Sequence, residues 1–218
     1  PCLLGDMQAE QLTATTNPKV LGLEHVLSAL APDEMRVVAV AEPDPERRTR
    51  FAQAHNLPPE RTFVDHNDLF AAGQLAPALI NTTMDRQHVE TTLGALASGY
   101  DVLLEKPMAP TAFDSVRLVR AAEAAVRQLH ICHVMRYSPF YKTLYETLHS
   151  GAVGQVMVVD HRENVAFWHQ AHSFVRGNWG NAARSAPMIL AKSCHDMDVL
   201  HWLLDRRVVK LSSFGSLT

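Results

Sequence analysis

The sequence lacks the features that mark disulfide-rich, membrane-spanning and nucleic-acid-binding proteins. It has three cysteines, Cys2, Cys132 and Cys194, whose spacing suits neither a disulfide framework nor a metal. No apolar run approaches the roughly 20 residues of a membrane-spanning helix, and no signal peptide is visible. Acidic and basic residues are interspersed, with a formal net charge of −3, so no basic surface for nucleic acid is expected. We therefore expect a protein of the reducing cytoplasm, with no nucleic-acid or membrane partner.

Composition and length fit a protein with a large buried core. Apolar residues make up 47% and charged residues 20% of the 218 residues, enough for one large or two small domains. Between residues 36 and 133 short apolar segments alternate with amphipathic ones, and Asp44 followed by Pro45 marks a helix start. Strands are predicted at 36–41, 78–82, 101–104 and 129–134, and helices at 45–55, 87–98 and 113–127. This alternation predicts a parallel sheet covered on both faces.

The pattern changes after Arg136. Helices are predicted to begin at Ser138 and at about Asp196, with strands at 155–161 and 208–214. The polar, aromatic stretch at 162–185 has no periodicity and is predicted to be a functional loop. We therefore expect an α/β protein in two parts. These are a Rossmann-like nucleotide-binding domain at 1–135 and an incomplete α/β domain with an open mixed sheet at 136–218.

Five short segments, taken together, are characteristic of one family. They are Val-Val-Ala-Val-Ala-Glu-Pro-Asp-Pro at 37–45, Asn-Thr-Thr at 81–83 with His88, Glu-Lys-Pro at 105–107, Arg-Tyr-Ser-Pro at 136–139 and Cys-His-Asp-Met-Asp at 194–198. In this order and spacing they resemble the Gfo/Idh/MocA oxidoreductases, the group of glucose–fructose oxidoreductase and inositol dehydrogenase. The resemblance implies hydride transfer between a nicotinamide cofactor and a secondary hydroxyl of a sugar or cyclitol.

Lys106 is the first candidate for a catalytic residue. It follows a predicted strand, at the edge where open α/β sheets place their ligands. The resemblance implies that it contacts the nicotinamide ribose and the reacting hydroxyl, where a lysine can stabilise alkoxide charge or relay a proton. Pro107 is expected to fix the turn that aims Lys106, with a cis peptide bond as one option. The alternative is a Glu105–Lys106 pair in an ordinary surface loop.

Other strand-end residues are predicted to hold the cofactor. An acidic Glu42 at a strand end accepts hydrogen bonds from the adenosine ribose and repels a 2′-phosphate, which favours NAD over NADP. The alternative for Glu42 is a carboxylate facing water, and for His88 an ordinary polar place in the first turn of a helix. With the residues that the resemblance adds, the predicted cofactor set is Gly22, Glu42, Asn81, Thr82, Thr83, His88, Glu105, Lys106, Pro107 and Arg136.

His195 is the second acid–base candidate. It precedes a predicted helix, and an imidazole near a helix start can exchange protons near neutral pH. In the dehydrogenases of the family the matching histidine works with an aspartate four residues earlier, but Ala191 stands at that position here. Lys192 is the nearest charged residue and is the third catalytic candidate. Asp196 and Asp198 are interpreted as helix caps.

Most of the predicted substrate contacts lie in the loop at 162–185. Flat aromatic rings beside cationic and imidazole groups suit a polyhydroxylated substrate, and an oligomer contact is an equal alternative. The predicted substrate set is Trp168, His169, Arg176 and Trp179, together with His195. The histidines of this region have no metal-ligand spacing, so no metal site is predicted. The full-length protein is expected to form a homo-oligomer.

The glycine-rich turn of a dinucleotide-binding fold is not recognisable. Residues 1–20 show no apolar strand that leads into such a turn, and only Gly22 stands in a suitable place. We therefore expect that the first strand and its loop are diverged or missing, and that the chain is truncated at both ends. Two further hypotheses stay open: an NAD-dependent glycosidase of the same fold, and a non-catalytic remnant or binding protein.

Overall fold

One parallel sheet organises the chain. The computed structural model describes residues 10–15, 35–181, 183 and 185–216. The strands of this part pair in parallel in the order β3-β2-β1-β4-β5-β6. Their bounds are β1 (Glu10–Thr15), β2 (Met35–Ala41), β3 (Thr62–Phe63), β4 (Ala78–Asn81), β5 (Asp101–Leu104) and β6 (Leu129–Ile131). The strand order reverses between β1 and β4, so the predicted Rossmann-like fold is confirmed, with its crevice at that point.

The central strand β1 corrects the sequence-based prediction, which places no strand before residue 20. Leu12 of β1 pairs with Val37 of β2 on one side and with Ala78 of β4 on the other. The segment Glu-Gln-Leu-Thr-Ala-Thr is poor in large apolar residues, so its local pattern gives no strand signal. Pairing along both edges outweighs that weak local preference. The predicted cofactor residue Gly22 lies outside the described residues.

Helices alternate with the strands, as predicted. They are α1 (Pro45–Ala54), α2 (His66–Ala71), α3 (His88–Ala97) and α4 (Ala112–Ala125). The Asp44 side chain caps α1 by accepting a hydrogen bond from the Arg47 N–H at 2.9 Å, and Pro45 opens the helix. Gly99, with φ of 89°, follows α3 in the left-handed region that favours glycine. The short helix α2 was not predicted.

The main core lies between the sheet and helices α3 and α4. Leu79, Leu104 and Leu118 are each fully buried, and so is Tyr100. The Tyr100 hydroxyl accepts from the Leu75 N–H at 2.9 Å and donates to the Gly73 carbonyl at 3.0 Å, so its polar end is satisfied. Burying each of these leucine side chains stabilises the fold by about 1.5–3 kcal/mol. The core thus fixes the strands whose ends carry the site.

Beyond β6 the described chain is helical or irregular. Its α-helices are α5 (Pro139–His149), α6 (Phe167–His169), α7 (Met188–Ala191) and α8 (Cys194–Leu204), and a π-helical turn spans Gln170–Val175. The strands predicted at 155–161 and 208–214, and with them the mixed sheet, are wrong for the described residues. A strand needs a hydrogen-bonded neighbour and a buried face, whereas Val158 and Val209 are 85% and 97% exposed. Within the described part of the chain, no helix combines the length and apolar character that crossing a membrane takes.

Candidate active site at the carboxyl edge of the sheet

The carboxyl ends of three strands bring predicted site residues to one edge of the sheet. Glu42 follows β2 directly, Asn81 ends β4, and Lys106 lies two residues past β5. The Glu105 N–H donates to the Asn81 carbonyl at 2.9 Å, which continues the β4–β5 pairing to the turn that carries Lys106. Ligands of doubly wound sheets bind at this edge, beside the point where the strand order reverses.

Glu42 is almost fully buried, with 1% of its surface exposed. Its Oε1 accepts hydrogen bonds from the Asp44 N–H at 2.9 Å and from Arg47 Nη2 at 2.8 Å. The hydrogen bond to Glu42 raises the pKa of the Arg47 guanidinium. Arg48 adds a hydrogen bond to the Glu42 carbonyl at 2.6 Å. The alternative of a carboxylate facing water is therefore wrong: Glu42 is held in a fixed position by the first turn of α1.

Asn81, Thr82 and Thr83 shape the turn after β4. Asn81 Nδ2 donates to Thr92 Oγ1 at 2.9 Å, and its Oδ1 accepts from Thr83 Oγ1 at 2.8 Å. Asn81 and Thr82 are 0% and 1% exposed. The Asn81 amide thus makes its hydrogen bonds inside the protein and fixes the backbone of the turn.

His88 joins this turn to the one that carries Lys106. The ring is buried; its Nδ1 lies 2.8 Å from the Pro107 carbonyl and its Nε2 lies 3.0 Å from the Thr83 carbonyl. Burial lowers the pKa of His88, so the neutral ring donates to only one of the two carbonyls at a time. His88 does stand in the first turn of α3, but its ring is buried between the turns after β4 and β5.

Lys106 reaches across to the second half of the chain. Its Nζ donates to the carbonyl of Ala191 in α7 at 3.1 Å. The Lys106–Pro107 peptide bond is cis, one of the expected options. The Glu105 carboxylate accepts the Lys106 N–H at 3.0 Å, and burial raises the pKa of Glu105. The alternative of an ordinary surface Glu–Lys pair is therefore not what the geometry shows.

His195 lies in the first turn of α8, within the electrostatic range of Lys106. The pKa of His195 is lowered to about 4, first by burial, then by the charges of Lys106, His133 and Lys192, with Asp198 opposing. The imidazole is therefore neutral at pH 7 and able to accept a proton. Its Nδ1 is buried and has no hydrogen-bond partner among the described residues. Lys106 and His195, the first two predicted catalytic residues, thus lie close enough to interact electrostatically.

Two site residues were missed or misinterpreted from the sequence. Asp198 binds Arg136 through two hydrogen bonds of 2.7 and 2.5 Å, and this interaction raises the pKa of Arg136. His133, at the end of β6, has its Nε2 3.8 Å from the same carboxylate and its ring edge-on to His195. The sequence does contain a signal for both residues. Asp198 lies three residues after His195 on one helix face, and His133 follows a strand.

The helix-cap interpretation of two aspartates is wrong. Ser193 precedes α8 at the cap position, and no side-chain capping bond forms there. Asp198 pairs with Arg136, and Asp196 lies 2.7 Å from the Nε2 of His161. Each carboxylate therefore ties α8 to another segment of the chain.

Lys192, the third catalytic candidate, points to a carboxylate of the preceding loop. Its Nζ lies 2.7 Å from Glu163 Oε1. Its charge also helps to lower the pKa of His195, whereas a carboxylate would raise it. Lys192 therefore has the opposite electrostatic effect to the aspartate that the resemblance implies at position 191.

The four predicted substrate residues of the loop divide into one that is tied to the edge of the sheet and three that are not. The Trp179 indole N–H donates to Asp85 Oδ2 at 3.1 Å, and the Ala186 N–H donates to the same oxygen at 2.9 Å. Asp85, after β4, is 3% exposed, so these bonds hold the loop against the site edge. Across the described ranges, no hydrogen bond or ion pair joins the side chain of Trp168, His169 or Arg176 to the surroundings of Lys106.

The arrangement fits a dinucleotide better than a metal. A fixed carboxylate after β2, a turn of buried polar groups after β4 and a lysine after β5 occupy the places that a dinucleotide uses in a doubly wound sheet. The buried Nδ1 of His195 adds a hydrogen-bonding atom beside them. In the residues open to description, no cluster of three or more His, Cys, Asp or Glu side chains is arranged to hold a metal ion.

The family model for "Oxidoreductase family, NAD-binding Rossmann fold" (GFO_IDH_MocA) matches residues 19–133, more than half of the chain. The chain belongs to this family. The predicted family resemblance is thereby confirmed. Sequence relatives include inositol 2-dehydrogenase 4 of Saccharopolyspora erythraea, 30% identical over 177 residues, which are 81% of this chain and 48% of that protein. Inositol 2-dehydrogenase of Pseudomonas fluorescens is 33% identical over 170 residues, or 78% of this chain and 47% of that protein.

Solved structures of the family share the fold. The WlbA dehydrogenase from Bordetella pertussis, in complex with NADH and UDP-GlcNAcA, superposes with a TM-score of 0.73 at 21% identity, covering 89% of this chain and 58% of that one. The myo-inositol 2-dehydrogenase from Lactobacillus plantarum gives a TM-score of 0.74 at 16% identity, with 90% and 56% covered. The chain spans about half the length of the curated relatives that it matches.

Proposed function

We propose that this chain carries the cofactor-binding domain and part of the substrate domain of an NAD-dependent dehydrogenase. Its substrate would be a cyclitol or sugar with an oxidisable secondary hydroxyl, the class to which the inositol of the named relatives belongs. The observation that carries the proposal is the placement of Lys106 after β5, next to a neutral His195, at the crevice edge of the sheet. The domain boundary lies near residue 135, just after β6.

The proposed reaction removes a proton from the hydroxyl and a hydride from its carbon. When bound, a nicotinamide dinucleotide supplies the hydride acceptor at C4 of its ring. The Lys106 ammonium stabilises the charge that develops on the hydroxyl oxygen, because it acts in a partly desolvated site. The neutral imidazole of His195 accepts the proton. The backbone of the turns after β4 and β5 fixes the positions from which these two side chains act.

Cofactor selection in the proposal depends on Glu42. Its buried carboxylate accepts hydrogen bonds from ribose hydroxyls and disfavours a 2′-phosphate, so NAD is the preferred cofactor. The Arg47 guanidinium at 2.8 Å offsets part of that negative charge. The preference is therefore for NAD but is weaker than an unpaired carboxylate would give.

A fluorescence titration with NADH tests the proposal first. The protein should enhance NADH emission, and Lys106→Met should retain most of that binding while NADH production with myo-inositol or related polyols falls about 100-fold or more. The control is Lys142→Met, an exposed lysine on α5, which should behave as wild type. No binding at millimolar NADH would overturn the proposal. Glycoside cleavage with retained NAD and no net NADH would instead select the glycosidase hypothesis.

A further inference from the structure

His133 occupies a position between a carboxylate and the proposed proton acceptor. It follows β6 and precedes the 3₁₀ turn at Val134–Tyr137. Its Nε2 lies 3.8 Å from Asp198 Oδ1, and its side chain is 24% exposed. On the other side its ring meets the His195 ring edge-to-face, with centroids 5.9 Å apart and an interplanar angle of 80°. Asp198, on the same helix as His195, therefore lies near His133, and the His133 ring contacts His195.

The surroundings of His133 lower its pKa. Burial lowers it first, the carboxylate of Asp198 opposes this, and the charges of Arg136 and Lys106 lower it further. His195 faces His133, Lys106, Lys192 and Asp198. In the described part of the chain, the Nδ1 atoms of His133 and His195 are both buried without a hydrogen-bond partner, so the ring contact is what relates the two imidazoles.

We propose that His133 is a positioning residue for His195, whose imidazole it contacts edge-to-face. This inference rests on the proposed dehydrogenase function. The edge of the His133 ring fixes the orientation of the His195 imidazole by direct contact.

The step balances in protons and electrons. The hydroxyl O–H bond breaks and its proton goes to His195, while the carbon–hydrogen bond breaks and its electron pair leaves as hydride to the oxidised nicotinamide cofactor. The products are a ketone, the reduced cofactor and a protonated His195. The carboxylate of Asp198 raises the pKa of His195 and so favours the new positive charge. Lys192 cannot serve this purpose, because it is a cation and is paired with Glu163 at 2.7 Å.

An NMR pH titration of the histidine rings in the cofactor-free protein tests the inference. His133→Phe keeps an aromatic ring against His195 but cannot take up a proton. We expect the pKa of His195 to rise, because the charge of a protonated His133 lowers it. His133→Gln should give the same direction of shift. The matched control is His130→Phe on β6, whose ring binds Gln128, and which should leave the His195 titration unchanged.

Kinetics of a further variant separate positioning from folding. His133→Ala, which removes the ring, should lower kcat about tenfold, whereas His133→Phe keeps the ring contact and most of kcat, with NADH affinity and thermal unfolding of both close to wild type. An unchanged His195 titration in His133→Phe and His133→Gln would overturn the inference. So would equal losses of kcat in His133→Ala and His133→Phe. If the wild type binds no NADH and oxidises no polyol, the proposed function fails, while the NMR titration still decides whether the two rings are coupled.

Discussion

Replacing Asp85 by alanine should release the loop that carries Trp179 from the edge of the sheet. The Asp85 carboxylate is 3% exposed, and its Oδ2 accepts both the indole N–H of Trp179 at 3.1 Å and the backbone N–H of Ala186 at 2.9 Å. These bonds span 94 and 101 residues, so each joins segments that are distant in sequence.

The magnitude follows from the Ala186 amide. Ala186 is 2% exposed, and a buried N–H that loses its acceptor costs about 1–3 kcal/mol. Loss of the indole bond adds to this, and removal of a buried charge offsets part of it, so we expect about 2–3 kcal/mol for Asp85→Ala. Asp85→Asn should cost about 1 kcal/mol, because its amide oxygen can still accept from the same donors.

Urea unfolding and hydrogen exchange measure this effect. The unfolding midpoint should fall for Asp85→Ala at unchanged slope, and the Ala186 amide should exchange faster. The control is Asp68→Ala on α2, an exposed aspartate, which should cost less than about 0.5 kcal/mol. If Asp85→Ala and Asp68→Ala have the same unfolding midpoint and the exchange of the Ala186 amide is unchanged, the bonds to Asp85 do not hold the loop against the sheet.

Three further predictions follow from the site. Glu42→Gln should lower the ratio of the NADP to the NAD dissociation constant by about tenfold, which corresponds to about 1.4 kcal/mol of lost repulsion. The exposed Glu46→Gln should leave the ratio unchanged, and equal ratios in both variants would refute the role of Glu42 in cofactor selection. His88→Leu should lower the free energy of unfolding by about 1–3 kcal/mol, because a buried carbonyl loses its donor, and an unchanged urea midpoint would argue against it. Folding should also weaken as the pH falls below 6.5, because His88, His133 and His195 have lowered pKa values in the folded state and the unfolded chain binds protons that the folded chain does not. Each of these histidines adds up to about 1.4 kcal/mol per pH unit to the slope of the free energy of unfolding against pH, down to its pKa in the folded state, which is about 4 for His195. A free energy of unfolding that stays constant between pH 7 and pH 5 would contradict this.

The predictable part of the fold is the part whose signal is local. β2, β4 and β5 were predicted to within a residue at each end because each is a continuous apolar run buried in the sheet. β3 was missed because two residues carry no periodicity. The valines at 156, 158 and 159 form a sequence pattern typical of a strand, but in the described structure they are exposed and pair with no other strand. Pairing is a property of two segments, and one segment cannot reveal it.

The site residues also divide into those with a signal in the sequence and those that only the folded chain brings together. Lys106 and His195 were predicted to act together from family motifs, and the structure places them within electrostatic range. The acceptor of Lys106 Nζ is a backbone carbonyl 85 residues away, which no side-chain pattern encodes. The neighbours of His195 could not be predicted either, because His133 meets it where the 3₁₀ turn after β6 packs against α8.

The contact between Lys106 and the carbonyl of Ala191 makes the lysine insensitive to the identity of residue 191. Every amino acid brings the same carbonyl oxygen, so substitutions at this position leave the acceptor in place as long as α7 keeps its backbone. The side chain at 191 is 2% exposed, so packing limits its size, whereas the contact with the lysine does not. An aspartate introduced as Ala191→Asp would keep the acceptor of Lys106 and would place a carboxylate in a buried position.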